Sequence, residues 1–135
     1  MNANPSALTA LVVDDETYFR RFVSELLSRE GIDEVVEARD GHEAVALFNV
    51  RHPGLVVLDI NMPRMDGLET LKALRRLSAD VPIIMLTSIA DEMVVEECVE
   101  EGASFFIRKD VPAHELAGEL RKLLAEFLDR EQLPS

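Results

Sequence analysis

Residues 54–67 read GLVVLDINMPRMDG. Four apolar side chains in succession, Leu55 to Leu58, stop at an acid, Asp59, and Gly67 closes the stretch. A strand with one wet face alternates apolar with polar residues, so a run without alternation predicts a strand covered on both faces, as in a parallel sheet. An ionisable group at the end of such a run is costly to bury unless something pairs with it. Asp59 therefore marks where the strand leaves the core and meets a partner.

The same kind of segment recurs on either side. Leu8–Val13, Pro82–Thr87 and Ser104–Arg108 also contain compact apolar runs, and Glu34–Ala38 is short and rich in branched residues; all read as strands. Between them lie helical patterns. Phe19, Phe22, Val23, Leu26 and Leu27 recur at three- and four-residue steps, with Gly31 as the stop. Gly41 to Val50 carries Ala44, Val45, Leu47 and Phe48; Leu68, Leu71, Leu74 and Leu77 make a third apolar face. Met93, Val94, Cys98 and Val99 mark a fourth helix that ends before Gly102. The last starts near Pro112, a residue suited to a first turn, and carries Leu116, Leu120, Leu123, Leu124, Phe127 and Leu128. Strict alternation of five strands and five helices gives an α/β fold, (βα)₅, with parallel strands and right-handed crossovers. Five units are too few for a closed eight-stranded barrel, so the sheet is open and doubly wound.

At 135 residues the chain suits one domain, 1–135, with a core over about 8–128. Its 26 acidic against 14 basic residues give a formal charge of −12, a surface that repels phosphate backbones and argues against direct nucleic-acid binding. Cys98 is the single cysteine, which excludes an internal disulfide and suits a reducing cytoplasm. No apolar run approaches the roughly 18 residues of a membrane span, and residues 1–9 lack the features of a secretory signal. The final residues 131–135 are polar and read either as a frayed tail or as the beginning of a linker.

Polar groups gather where strands end. Asp14 and Asp15 follow the first strand, Asp59 ends the third, Thr87 the fourth, and Lys109 follows the fifth. Open α/β sheets bind ligands beyond the carboxyl ends of strands, where strand order reverses. With order 2-1-3-4-5, strands one and three adjoin at that reversal, so Asp14, Asp15 and Asp59 converge, flanked by Thr87 and Lys109. Three convergent carboxylates repel one another and raise at least one pKa. A hard divalent cation removes the conflict; Mg²⁺ takes oxygen ligands, typically one or two carboxylates plus phosphate and water. Lys109 adds a compact positive charge, and Thr87 a hydroxyl donor. Taken singly these residues have blander uses. Asp-Asp after a strand also serves as a helix cap, Thr87 as strand filler and Lys109 as a solvated end. The conjunction of three acids, a hydroxyl and an amine at four strand ends is what points to a site.

Val12-Val13-Asp14-Asp15, Leu58-Asp59-Ile60-Asn61-Met62-Pro63-Arg64-Met65-Asp66-Gly67, Thr87-Ser88 and Phe106-Ile107-Arg108-Lys109 resemble the motifs of response-regulator receivers of two-component systems. The resemblance covers about Leu8 to Phe127. It implies a flavodoxin-like sandwich with a five-stranded sheet of order 2-1-3-4-5. It further implies Asp59 as phosphoacceptor, supplied by a sensor histidine kinase or a histidine phosphotransfer protein. Mg²⁺ would be held by Asp14, Asp15, Asp59 and the Asn61 backbone carbonyl. Thr87 and Lys109 would bind the phosphoryl group, Phe106 would be the switch aromatic, and Gly67 would permit a turn that strains other residues. Helix one is a candidate docking surface through Tyr18, Phe19, Phe22 and Val23, which could equally all serve the core. The helix 4–strand 5–helix 5 face could support a homodimer. Such a protein is a signalling phosphoacceptor rather than an enzyme.

Two positions depart from the family pattern. Phe106 replaces the common Tyr and cannot donate a hydroxyl hydrogen bond. Lys109 is followed by Asp110 rather than Pro, where a cis peptide would cost about 2.5–4 kcal/mol. Two other functions compete. A Mg²⁺-dependent phosphatase of the haloacid-dehalogenase type would place its nucleophile after strand one with a second Asp two residues on, unlike the adjacent Asp14-Asp15. A receiver acting only as a binding module would not need all five site groups. His42, His52 and His114 have no metal-site spacing, and Glu96, Glu97, Glu100 and Glu101 read as a solvated face.

Overall fold

The computed structural model describes residues 8–62 and 65–132. Pro63, Arg64 and residues 133–135 lie outside the described residues, as do residues 1–7. Five strands, β1 (Thr9–Val13), β2 (Glu34–Ala38), β3 (Leu55–Asp59), β4 (Ile83–Thr87) and β5 (Phe105–Arg108), alternate with five helices, α1 (Thr17–Arg29), α2 (Gly41–Arg51), α3 (Gly67–Leu77), α4 (Glu92–Glu100) and α5 (Ala113–Gln132). A single 3₁₀ turn, Ile89–Asp91, precedes α4. The strands are parallel and ordered β2-β1-β3-β4-β5. The sequence places β2, the start of α2 and the C-terminal ends of the other four strands correctly, ends α2 one residue early and begins those four strands one residue early.

The uninterrupted apolar runs are explained by two cores. Side chains of successive strand residues point to opposite faces. Leu11, Val13, Val56, Leu58, Ile83 and Met85 pack with Phe48 of α2, Leu71 and Leu74 of α3 and Cys98 of α4. Ala10, Val12, Leu55, Val57, Ile84, Leu86 and Ile107 pack with Val23 and Leu27 of α1 and Leu116, Leu120 and Leu124 of α5. Strand β2, whose sequence lacks a compact run, is an edge strand with only Ala38 fully buried.

Three helical expectations need correction. Leu77, Met93 and Val99 are exposed (44%, 84% and 57%) rather than inward. On α4 the inward residues are Val94, Val95 and Cys98. On α1, Val23 is buried and Phe19 and Phe22 are half-buried against the core, leaving Tyr18 exposed.

Local chemistry sets the helix ends. Gly31 (φ 106°) and Gly102 (φ 96°) sit in the left-handed region just past α1 and α4, where a Cβ would be strained. Pro112 is one residue before α5, and its carbonyl accepts from the N–H groups of Glu115 and Leu116. Asp40 and Asp66 cap α2 and α3, their carboxylates accepting from the Glu43 and Glu69 N–H at 2.8 and 2.9 Å. Asp40→Ala is expected to cost about 1 kcal/mol, read as a lower urea midpoint with unchanged helix content.

Candidate metal centre at the mouth of the sheet

The carboxyl ends of β1 and β3 adjoin at the reversal of strand order, with Val13 in register with Leu58. The chain leaving β1 is fixed at once: Asp14 N–H donates to the Ala38 carbonyl at 3.1 Å, and Asp14 Oδ1 accepts from Glu16 N–H at 2.9 Å. Arg20 braces the same turn. It is buried, its Nη1 donating to the Asp14 carbonyl at 2.8 Å and its Nε to Glu37 Oε1 at 2.8 Å. Arg20 is not among the expected site residues, though a charge between Phe19 and Val23 on a buried helix face signals a needed partner.

Asp14 and Asp59 are buried at 0% and 2% exposure, and Asp15 is exposed. One carboxylate oxygen from each lies within 4.8 Å of the others. In an octahedron of oxygens about 2.1 Å from Mg²⁺, neighbouring ligands stand about 3 Å apart and opposite ones about 4 Å. The donor set is all oxygen and close to that scale, so these residues fit the ion with small side-chain movements.

Lys109 reaches in from the end of β5. Its Nζ stands 3.2 Å from Asp14 Oδ2, Asp59 Oδ2 and Glu16 Oε1, and 4.4 Å over the Phe19 ring. Its backbone N–H donates to the Thr87 carbonyl at 2.7 Å. The sequence did not anticipate Glu16 as a third anionic partner. The lysine does not neutralise the cluster. Burial, then the charge of Asp14, pushes the Asp59 carboxyl up to about 6, against the opposing pull of Lys109 and the Asn61 N–H bond. Burial likewise raises Asp14 above the usual carboxylate range. Burial lowers the Lys109 ammonium, but the Asp59 and Asp14 charges together outweigh it and leave the group raised. Two desolvated acids with one amine still want positive charge.

The remaining expected residues occupy the flanks. Thr87 is buried at the end of β4, one strand from Asp59, and lines a surface depression with Ser88, Glu92, Val95, Phe106 and Arg108. Phe106 is half-buried there. Asn61 donates its N–H to Asp59 Oδ1 at 3.3 Å and its side-chain Nδ2 to Asp91 Oδ1 at 2.8 Å. The Lys109–Asp110 peptide is trans, and Asp110 takes the fork of Arg108 at 2.6 and 2.8 Å. Gly67 stands at the turn where other side chains would be strained, without a positive φ. It is needed for close approach, since a Cβ would fall 2.4 Å from the Asp59 carbonyl oxygen and 2.5 Å from Ile60 Cα. His42, His52 and His114 are exposed and take no part.

An open five-stranded parallel sheet with this order and an acidic, lysine-braced mouth defines an α/β protein of the receiver type. Residues 10–121 match the response regulator receiver domain, and the chain belongs to that family. It is 33% identical over 114 residues to the chemotaxis protein CheY of Bacillus subtilis, covering 84% of this chain and 95% of that one. It is 45% identical to the probable transcriptional regulator ycf27 of Cyanophora paradoxa, again over 84% of this chain but only 47% of the regulator. The chain thus spans about half the length of such regulators. Among solved structures, Vibrio cholerae CheY4 superposes with a TM-score of 0.76 at 33% identity, covering 86% of this chain and 98% of the other. The REC domain of AraT, a response regulator from Geobacillus stearothermophilus, reaches 0.80 at 26% identity, covering 94% and 99%. No helix among the described residues is long and apolar enough to cross a membrane.

Proposed function

We propose that Asp59 accepts a phosphoryl group from a phosphohistidine, carried by a sensor histidine kinase or a phosphotransfer protein, in a Mg²⁺-dependent reaction that switches the domain's surface. The observation that carries this reading is the convergence of Asp14, Asp15 and Asp59 around space suited to an oxygen-bound cation, with Lys109 Nζ 3.2 Å from the acceptor carboxylate. A relative from Borrelia burgdorferi, 27% identical over 87% of this chain with a TM-score of 0.76, was crystallised as a CheX-CheY-BeF3-Mg²⁺ complex. That composition is in keeping with the chemistry proposed here.

In the transfer, an Asp59 carboxylate oxygen forms the bond to phosphorus as the P–N bond breaks, and the departing imidazole takes up a proton. Phosphoryl transfer asks mainly for placement and neutralised charge. Bound Mg²⁺, held by Asp14, Asp15, Asp59 and the Asn61 backbone carbonyl, would supply positive charge to the phosphoryl oxygens. Lys109 supplies a second positive centre that can pass from the carboxylates to the new phosphoryl group. Thr87 offers it a hydroxyl, and Phe106, in the same depression as Thr87, offers a ring whose burial can follow the threonine. Such a switch requires the phosphoryl group to contact the two states differently. We further propose that residues 1–135 act as one receiver unit, and that the α4–β5–α5 face receives a second copy or an output partner.

The test is incubation with an acyl phosphate and Mg²⁺, followed by intact-mass spectrometry. One phosphoryl group should add to the wild-type chain and none when Mg²⁺ is chelated or Asp59 is replaced by Asn. Addition that survives Asp59→Asn defeats the assignment, and sustained release of phosphate from simple monoesters would favour a phosphatase instead.

A further inference from the structure

Asp91, on the 3₁₀ turn before α4, is buried at 5% exposure and has both carboxylate oxygens engaged. Oδ2 accepts from Ser88 N–H at 2.7 Å and from Ser88 Oγ at 3.0 Å, as a helix cap does. Oδ1 accepts from Asn61 Nδ2 at 2.8 Å, across a separation of 30 residues. The capping role accounts for one oxygen only. The other points at a loop that shares no secondary structure with the turn. Asn61 stands two residues after Asp59, and Ser88 directly follows Thr87. One buried carboxylate thereby joins the loop leaving β3 to the turn leaving β4. Charge-assisted bonds of this kind are among the stronger ones. The Asn61 main chain is otherwise lightly held on its N–H side, where the bond to Asp59 Oδ1 is a long 3.3 Å.

We propose that Asp91 is a positioning residue for the metal centre. By gripping the Asn61 side chain it fixes the peptide that offers a carbonyl to Mg²⁺, and it makes the Thr87-Ser88 turn part of the same rigid unit. The inference rests on the reading of Asn61 given above. Groups that orient metal ligands typically contribute 10–100-fold in affinity. Mg²⁺ keeps several waters, which puts the effect here at the lower end of that range.

The measurement is Mg²⁺ affinity of the full chain, from titration of backbone amide shifts by NMR, with urea unfolding alongside. Asp91→Asn separates the two roles. Its one oxygen can still accept from Ser88, whereas its NH₂ can meet Asn61 only by donating to a flipped amide, a neutral bond in place of the charge-assisted one. Asp91→Asn should weaken Mg²⁺ binding about tenfold with little change in the unfolding midpoint. Asn61→Ala keeps the backbone carbonyl and should weaken binding equally. Adding Asp91→Asn to Asn61→Ala should weaken it no further, the non-additivity of two residues acting through one contact. Unchanged affinity in Asp91→Asn, or losses that add in the double variant, overturn the inference while leaving the metal site standing. Should Asp91→Asn not fold, unchanged affinity in Asn61→Ala overturns it alone. A wild-type chain that binds no Mg²⁺ overturns the metal-site reading and this inference with it.

Discussion

Asp59→Asn is expected to abolish phosphoryl uptake and, at the same time, to make the metal-free protein more stable at neutral pH. The first effect follows because an amide is no nucleophile toward phosphorus. The second follows from electrostatics at the mouth of the sheet. Asp59 titrates near 6 in the fold against 3.8 when unperturbed, because burial and then Asp14 disfavour its charge. The folded state therefore holds this proton more tightly than the unfolded chain does. The sign is that of a carboxyl raised on folding: its penalty is absent below the unfolded pKa, grows as pH rises through 3.8 to about 6, and is complete above. At about 1.4 kcal/mol per unit, the penalty at pH 7.5 is on the order of 3 kcal/mol and has largely gone by pH 4. These figures already include the attraction of Lys109, which keeps Asp14 and Glu16 as partners when Asp59 becomes neutral. Urea unfolding in chelator should show Asp59→Asn gaining at pH 7.5 and converging with wild type near pH 4. Millimolar Mg²⁺ should narrow the gap at pH 7.5 by stabilising wild type selectively, since a ligand bound only to the fold adds stability by mass action. An Asp59→Asn chain no more stable than wild type at pH 7.5 would remove the electrostatic strain on which the metal argument draws.

The strand frame was open to reading because burial on both faces leaves its mark directly in the residues. Leu55 to Leu58 and Ile83 to Leu86 have no polar face to hide. The acids were legible for a related reason: Asp14 and Asp59 end apolar runs, and a charge there needs a physical excuse. Helix faces were harder. Over the nine residues of α4, Met93, Val94, Val95, Cys98 and Val99 offer overlapping apolar stripes. Only the packing against α3 and the sheet selects Val94, Val95 and Cys98. Glu16, Arg20 and Asp91 were missed as site residues for another reason. Their meaning lies in partners 93, 17 and 30 residues away, and no local period encodes such a partner. The spacing of Ser88 and Asp91 does hint at a cap, but nothing in it announces Asn61. Gly67 was legible as a residue the turn requires, but not why: the need is room beside the Asp59 and Ile60 main chain, which only the folded chain brings there.

That reason bears on the second large expectation, that Gly67→Ala damages both the fold and the metal centre. A Cβ at Gly67 would lie 2.4 Å from the Asp59 carbonyl oxygen, 2.5 Å from Ile60 Cα and 2.9 Å from the Ile60 carbonyl oxygen. All three are main-chain atoms, so no rotamer change can make room. Gly67 is also tied to this peptide by its N–H, which donates to the Ile60 carbonyl at 2.8 Å. Relief therefore requires α3 to back away from the sheet, opening the core around Leu71 and Leu74, or the Asp59-Ile60 peptide to shift, displacing the Asp59 carboxylate. Overpacking a tight core typically costs about 1–3 kcal/mol and occasionally more; with only backbone to yield, about 3 kcal/mol is expected here. Gly41→Ala provides the contrast. Its Cβ would also collide, but with the Thr70 Oγ1 and the Met65 side chain, which can rotate or flex. Urea midpoints should thus fall much further for Gly67→Ala than for Gly41→Ala. Mg²⁺ titration should show weakened binding only in the former, because only there does the strain fall on the chain that carries Asp59. Equal losses in the two variants would mean that the Asp59-Ile60 peptide yields freely, and that Asp59 is not held by the start of α3.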